Sequence, residues 1–474
     1  MRKLQKTFKC DSFLIILLTI SILLGTFIKV LPFRILGIVP TLDRIALPLL
    51  ALYFLIIQIC KYKKTFFDYF SRPFVIFTLM MSFWILYGII SLFFSPYSVA
   101  KEALKDILSL LLGICSVYCI YSKISSDQEI RQLIKYVKII CVGLIVFAFF
   151  ESALALHLPT SKLYPASGYS EDAALLLKNS FSSTLDTSTT LFFGINDFSA
   201  FISSFLPLFF YSNKRTKKSN ILHFIILILG ILLLTSNDAN ISLIAVFLSL
   251  VLFSILQFKA LRVNIMITLS LFLTHFWLYK VVKKLLLLLK NKIYQLVFCP
   301  LTSKVNPTLA EVYVTGAEIS NVNISKVIST QFQNAVTNSR GSLYNRFMLY
   351  LDSLEISLKT YGLGLGPAAF ESYFKNNPHR SNLINPHNWW LEVLSQYGIF
   401  VFLFYLGTLL YLFINMLKRF FKTFDSDIAI MCAVCVSFVI SCIAPSSFLG
   451  SGYQWMIPAF VIVMLSKDLK KNKQ

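Results

Sequence analysis

The chain has 474 residues, 57% of them hydrophobic, and a mean hydropathy of +0.72; that is far above a soluble domain, so the bilayer is its solvent. Its formal charge of +22 comes from 44 Lys and Arg against 22 Asp and Glu, but the cations sit in short clusters between apolar runs, a pattern that speaks against nucleic acid as the partner. The nine cysteines form no disulfide framework: seven fall inside apolar runs, Cys10 lies near the start and Cys299 stands apart.

Twelve apolar runs follow one another, at about 13–30, 45–60, 73–94, 105–122, 136–156, 191–211, 221–235, 241–258, 264–282, 398–417, 428–444 and 454–466. The expected fold class is an all-α polytopic membrane protein of about 12 transmembrane helices, with one large extracytoplasmic loop containing amphipathic helices. Residues 1–282 hold helices one to nine, 283–397 the large loop, and 398–474 helices ten to twelve with a basic cytoplasmic tail. The first run follows Met1-Arg2-Lys3 and has no A-x-A cleavage signal, so it counts as helix one.

With the N-terminus inside, segments 61–72, 122–138, 212–220, 259–263 and 418–427, with the two chain ends, hold 25 of the 44 Lys and Arg residues. Alternation of this kind is the positive-inside signature. It predicts a multi-pass protein of the cytoplasmic membrane with both termini cytoplasmic, and the lipid bilayer as its surroundings. The Ser/Thr-rich segment 157–190 then becomes an outside rim or linker.

Residues 283–386 form a hydrophilic insert of a size that calls for a function. Its first part, 283–298, is Lys-bearing and amphipathic and suits the membrane surface; 300–338 is polar and aperiodic. From Ser342, Leu343, Phe347, Tyr350, Leu351, Leu354 and Leu358 recur at helical spacing, opposite Asp352, Glu355 and Lys359. Gly362-Leu363-Gly364-Leu365-Gly366-Pro367 reads as a turn, because no strand precedes it and no Lys-Ser/Thr follows, as a phosphate loop would require. A helix is then expected from the N-cap Asn385, with Pro386 at its first position and Gly398 at its stop. Cys432 and Cys435 share a span with no second ligand pair, and read as packing residues.

The candidate chemistry is cationic and outside. Arg340, Arg346 and Arg380 are positioned for bidentate contacts to a diphosphate, against the plainer role of anchoring lipid headgroups. His387, expected in the first turn of its helix, suits a neutral general base, although a histidine bonded to a nearby carbonyl is the simpler alternative. Asn388, Trp389 and Trp390 follow it as candidate acceptor and sugar contacts, while an interfacial aromatic belt explains the tryptophans equally well. No metal-binding pattern occurs, and no cofactor is expected. The spans are nearly free of charge, which favours an enzyme over a transporter of the same substrates; a non-catalytic scaffold would tolerate loss of Arg346 or His387.

Three segments resemble the O-antigen polymerase and ligase family, which includes teichuronic-acid polymerases. They are NRFMLYLDSLEISLKTYGLGLGPAAFESY (345–373), NPHNWWLEVLSQYGIFVFLFYLG (385–407) and FFGINDFSAFISSFLPLFFYS (192–212). Together they cover roughly residues 190–420, and the first five spans match in hydrophobicity alone. The resemblance implies a GT-C-like architecture and a polyprenyl-diphosphate-linked oligosaccharide as substrate. It also implies Arg346 and His387 as active-site residues, with Arg340 as a neighbour. A chain-length regulator or a flippase would be natural partners. Many members carry an arginine in a T-x-S-R-G segment; the corresponding Thr235-Ser236-Asn237-Asp238-Ala239-Asn240 has none. Either Arg340 or Arg380 supplies that charge, or the donor binds differently.

Overall fold

The computed structural model describes residues 2–30, 39–62, 69–154, 188–192, 194–210, 215–257, 342–377, 387–445 and 448–471. Among them the chain is helical, without strands and with one isolated antiparallel bridge between Lys29 and Thr41. In chain order the α-helices are α1 (Arg2–Leu23), α2 (Leu42–Tyr62), α3 (Arg72–Ser91), α4 (Ala100–Lys123), α5 (Asp127–Leu154), α6 (Ile195–Phe205) and α7 (Lys217–Ser236). They continue with α8 (Asn240–Leu256), α9 (Ser342–Lys359), α10 (Phe370–Asn376), α11 (Trp389–Thr423), α12 (Ser426–Ser441) and α13 (Tyr453–Lys471). Six of them (α2, α3, α4, α5, α7 and α11) are long and apolar enough to cross a membrane, and shorter apolar helices lie in α1, α6, α8, α12 and α13. The expected run 264–282, the surface stretch 283–298, the segment 300–338 and most of the rim 157–190 lie outside the described residues, as do Arg340, Arg380, Asn385 and Pro386.

Helix ends depart from the apolar runs for local reasons. α1 stops at Leu23 and tightens into a 3-10 turn, Gly25–Phe27, packed closely on the backbone of Asp43. α5 begins at Asp127, ahead of its apolar run. Glu129 accepts bonds from the amides of Ser125 (2.8 Å) and Ser126 (3.1 Å) and pairs with Lys123 at 2.6 Å. Carboxylates there offset the positive end of the helix. α6 passes into a 3-10 turn, Leu206–Phe209, at Pro207, which lacks the N–H an α-helix needs.

Large aliphatic side chains such as Leu52, Ile56, Leu79, Leu86 and Ile255 face outward, as lipid-facing residues do. Small polar residues fill the close contacts instead: the hydroxyls of Ser203 and Ser441 lie 2.6 Å apart, and Ser437 donates to the Ser203 carbonyl at 2.6 Å. Such pairs let helix backbones approach within a bilayer, and here they tie α6 to α12. The most extensive helix pair is α8 with α12.

The same solvent acts on α9. α9 forms as its period predicts, but Phe347, Leu351, Leu354 and Leu358 are exposed, whereas Leu349, Asp352, Ser353 and Ile356 are buried. Beside a bilayer the apolar stripe need not be the face that packs on protein.

The break at Gly398 falls where the sequence places a helix stop. With φ 78° and ψ 175° the residue is not helical, and it divides α11 into a short first segment and a longer one that follows. The carbonyls freed by the break accept from the glycine turn: Leu365 N–H to Ser395 O at 2.8 Å and Gly366 N–H to Gln396 O at 2.8 Å, while Ile399 N–H donates to Gly362 O at 2.8 Å. A Cβ at Gly364 would sit 2.6 Å from Gln396 O, so only glycine allows the two backbones this close. The outer side of the turn is held by Tyr87, whose hydroxyl donates to Leu363 O at 2.6 Å, by Ser95 to Leu365 O, and by Ser98 to Pro367 O at 3.1 Å. The turn's amides are thus spent on protein acceptors.

Candidate active site

A cavity of about 790 Å³ opens where four separated segments meet. α6 contributes Asn196, the α7–α8 turn contributes Asp238 and Asn240, and α9 contributes Arg346 and Tyr350, with Ala444 beyond α12 completing the lining. Asp238, Ala239 and Asn240, the end of the stretch in which the resemblance would place an arginine, therefore share this cavity with Arg346.

The turn is built to hold its shape. Asp238 takes a left-handed backbone (φ 51°), a conformation that aspartate tolerates better than most residues. Beside it, Asn237 is buried and grips Ser188 at two points, accepting from its amide at 2.9 Å and donating to its carbonyl at 3.1 Å. The neighbouring Thr189 and Thr190 donate their amides to the buried carboxylate of Glu151 at 3.0 and 2.6 Å. The wall behind Asp238 and Asn240 is thereby fixed to α5.

His387 does not line this cavity. It precedes the helix, half-buried and left-handed (φ 46°), and so does not occupy the first turn expected for it. The N-cap is Asn388, not Asn385: its side-chain oxygen accepts from the amides of Trp390 (3.0 Å) and Leu391 (3.3 Å). Histidine enters the left-handed region more readily than most residues, yet the conformation still stores strain of the sort that gathers at functional sites. The link to the cavity runs through α12: Trp389 N–H donates to Cys442 O at 3.0 Å, two residues before Ala444.

The two tryptophans serve as packing residues. Trp389 is fully buried, 5.9 Å from Trp84 and 6.4 Å from Tyr405 between ring centroids. Trp390 stacks on Tyr405 at 5.7 Å and donates its indole N–H to Val439 O at 3.0 Å. Their rings, and the capping Asn388, are engaged by protein rather than presented to a sugar. Among the described residues, no cluster of three or more His, Cys, Asp or Glu is placed to hold a metal.

Sequence reasoning missed Asn196, Asp238, Asn240 and Tyr350. Two signals were available: Asn196 stands in the quoted segment 192–212, and the polar Asn237-Asp238-Ala239-Asn240 interrupts two apolar runs.

The fold and cavity define a multi-pass helical membrane protein with a polar site at one end of its bundle. Residues 222–406 match the family model described as O-antigen ligase, a range containing Asp238, Asn240, Arg346 and His387. A relative, the teichuronic acid biosynthesis protein TuaE of Bacillus subtilis (strain 168), is 23% identical over 406 residues, covering 84% of this chain and 72% of its own. An alignment of that length necessarily reaches into the first five spans, further than the resemblance legible in the sequence. Both similarities set the chain beside proteins of cell-surface polysaccharide assembly.

Proposed function

We propose that the chain is a polymerase of cell-surface polysaccharide repeat units, working at the outer face of the cytoplasmic membrane on a polyprenyl-diphosphate-linked glycan. In this reading twelve spans cross the bilayer, both termini are cytoplasmic, and the Arg346 cavity opens outside. The observation that carries it is the convergence on Arg346 of polar groups from α6 and the α7–α8 turn in one cavity at the end of an otherwise apolar bundle.

The acceptor sugar hydroxyl attacks the anomeric carbon of the donor, the bond from that carbon to the diphosphate oxygen breaks, and the configuration inverts. Arg346, with Arg340 and Arg380, neutralises the departing diphosphate, where negative charge grows in the transition state. His387 takes the proton of the acceptor hydroxyl. No metal is required, and the activated sugar–diphosphate bond supplies the driving force. Asn196, Asp238 and Asn240 offer hydrogen bonds to sugar hydroxyls across from Arg346.

The test is reconstitution of the purified protein with a lipid-diphosphate-linked repeat unit, following product length on a gel. Wild type should give a ladder; His387→Ala and Arg346→Lys should abolish it, while Lys359→Gln, on the same helix as Arg346, should not. Ladders from all the variants would remove His387 and Arg346 from the site. The matched family description favours ligation as the second reading; a single addition to a different acceptor, with no ladder, would establish it.

A further inference from the structure

A second cavity, of about 1060 Å³, lies at the opposite end of α7. His223 near the start of α7 lines it, and the Asp238 turn beyond the end of that helix lines the first; at 1.5 Å per residue the two are roughly 20 Å apart along the axis. No lining residue is common to both.

Three basic clusters that mark topology in the sequence meet here. Segment 122–138 supplies Arg131, Lys135 and Lys138, segment 212–220 supplies Arg215, and segment 418–427 supplies Arg419. Three carboxylates also line the space, those of Asp127, Asp425 and Asp427. Of these, Asp425 caps α12 by accepting from the Asp427 amide at 2.8 Å. Cations remain in excess.

Their arrangement is that of a site and not of an outward belt. Arg215 is anchored from below: it donates to Phe210 O at 2.9 Å and Leu208 O at 3.2 Å, and lies 2.6 Å from His223 Nδ1. Lys138 is half-buried, with Nζ 5.7 Å from the centre of the Phe209 ring. Arg419 donates to Met464 O at 2.5 Å. Above these fixed groups, Arg131 and Lys135 are exposed on successive turns of α5. The remaining wall is aliphatic, including Ile134, Val142 and Leu229. Clustered cations over an apolar wall match one kind of ligand: a phosphate head that carries a hydrocarbon chain.

We propose that this cavity binds the phosphate head of an anionic phospholipid drawn from the leaflet at that end of the bundle, its acyl chain lying along α5 and α7. The site shares no lining residue with the Arg346 cavity, and its ligand would rest on α5, whose Glu151 anchors the far cavity's wall.

The full chain is placed in neutral detergent with phosphatidylcholine, and its thermal midpoint is followed as phosphatidylglycerol is added. Arg131→Gln/Lys135→Gln removes two exposed cations of the cavity. Lys418→Gln/Lys422→Gln removes two exposed cations of the same end that do not line it. Wild type should be stabilised by phosphatidylglycerol alone. The cavity variant should need roughly 20-fold more of it, about fivefold per basic residue removed near an anionic headgroup, while the control variant stays within about twofold of wild type. Midpoints in phosphatidylcholine verify that both variants fold, and Lys138→Gln provides a further cavity variant should the first be unstable. Equal losses in the cavity and control variants would reduce the cluster to a headgroup belt and overturn the proposal. Equal stabilisation by soluble glycerol phosphate would overturn the lipid assignment, and no preference for phosphatidylglycerol would overturn the site.

Discussion

Replacing Gly398 by alanine probes the helix break on which α9 and α11 are joined. The glycine sits at φ 78° and ψ 175°, and a Cβ there would lie 2.5 Å from Gly362 O and 2.6 Å from Leu363 O. Two costs add. That backbone region is essentially reserved for glycine, at ~1–3 kcal/mol for other residues, and overpacking a tight contact costs a further ~1–3 kcal/mol. The neighbouring atoms are backbone and cannot rotate aside, so Gly398→Ala should lose about 3 kcal/mol or more. Gly407 is the internal control: it lies in the same helix, and a Cβ there would meet nothing within 4 Å. Gly407→Ala should be neutral or gain ~0.5–1 kcal/mol, the usual advantage of alanine in a helix. Both variants would be unfolded by SDS from mixed micelles and followed by circular dichroism. Equal stability of the two would refute the break and the backbone pairing that depends on it.

Three further changes read other joints by the same titration. Asn388→Ala removes the cap bonds at 3.0 and 3.3 Å and should cost ~1 kcal/mol; Asn388→Asp should recover most of it, and failure to do so would argue against capping as the role of this residue. Glu151→Leu strands the buried amides of Thr189 and Thr190. At ~1–3 kcal/mol for each unsatisfied group, the loss should exceed that of Asn388→Ala, and a smaller one would mean the 188–190 segment is held by other contacts. Tyr397→Phe deletes the 3.0 Å bond to the Asp106 carboxylate and should cost ~1.5–3 kcal/mol; a change under ~0.5 kcal/mol would show the bond contributes little.

The six helices long and apolar enough to cross a membrane were legible among the described residues, because a run such as 73–94 or 221–235 has one plausible fate in a bilayer. Orientation of a helix within the bundle was not. α9 has a clear period, but apolar residues are equally content against lipid and against protein, so the period alone could not say that Asp352 and Ile356 pack inward. Capping was misassigned for a related reason. Asn385-Pro386 and Asn388 are both good starts, and the choice is made by contacts distant in sequence: the Cys442 carbonyl that receives the Trp389 amide, and the Trp84 and Tyr405 rings that enclose Trp389. The convergence of Asn196, Asp238 and Arg346 depends on tertiary packing across 150 residues of chain, beyond the reach of any local pattern.

The glycine turn gives the two halves of the proposed active site a common anchor. Arg346 lies on α9, which runs into Gly362; His387 precedes the first segment of α11, which runs into Gly398. At that junction the glycine turn and the break in α11 exchange three backbone hydrogen bonds of 2.8 Å, and the other side of the turn is bonded to Tyr87, Ser95 and Ser98 around the end of α3. The start of α11 is fixed a second time by Trp389, between α3 and the end of α12. In the proposed mechanism Arg346 on α9 and His387 ahead of α11 need a fixed relation to act on one reacting bond, since small misplacements are costly in transfer chemistry. Here that relation is set by backbone contacts that only glycine permits, which explains why a loop without phosphate-binding chemistry is nevertheless so rich in glycine.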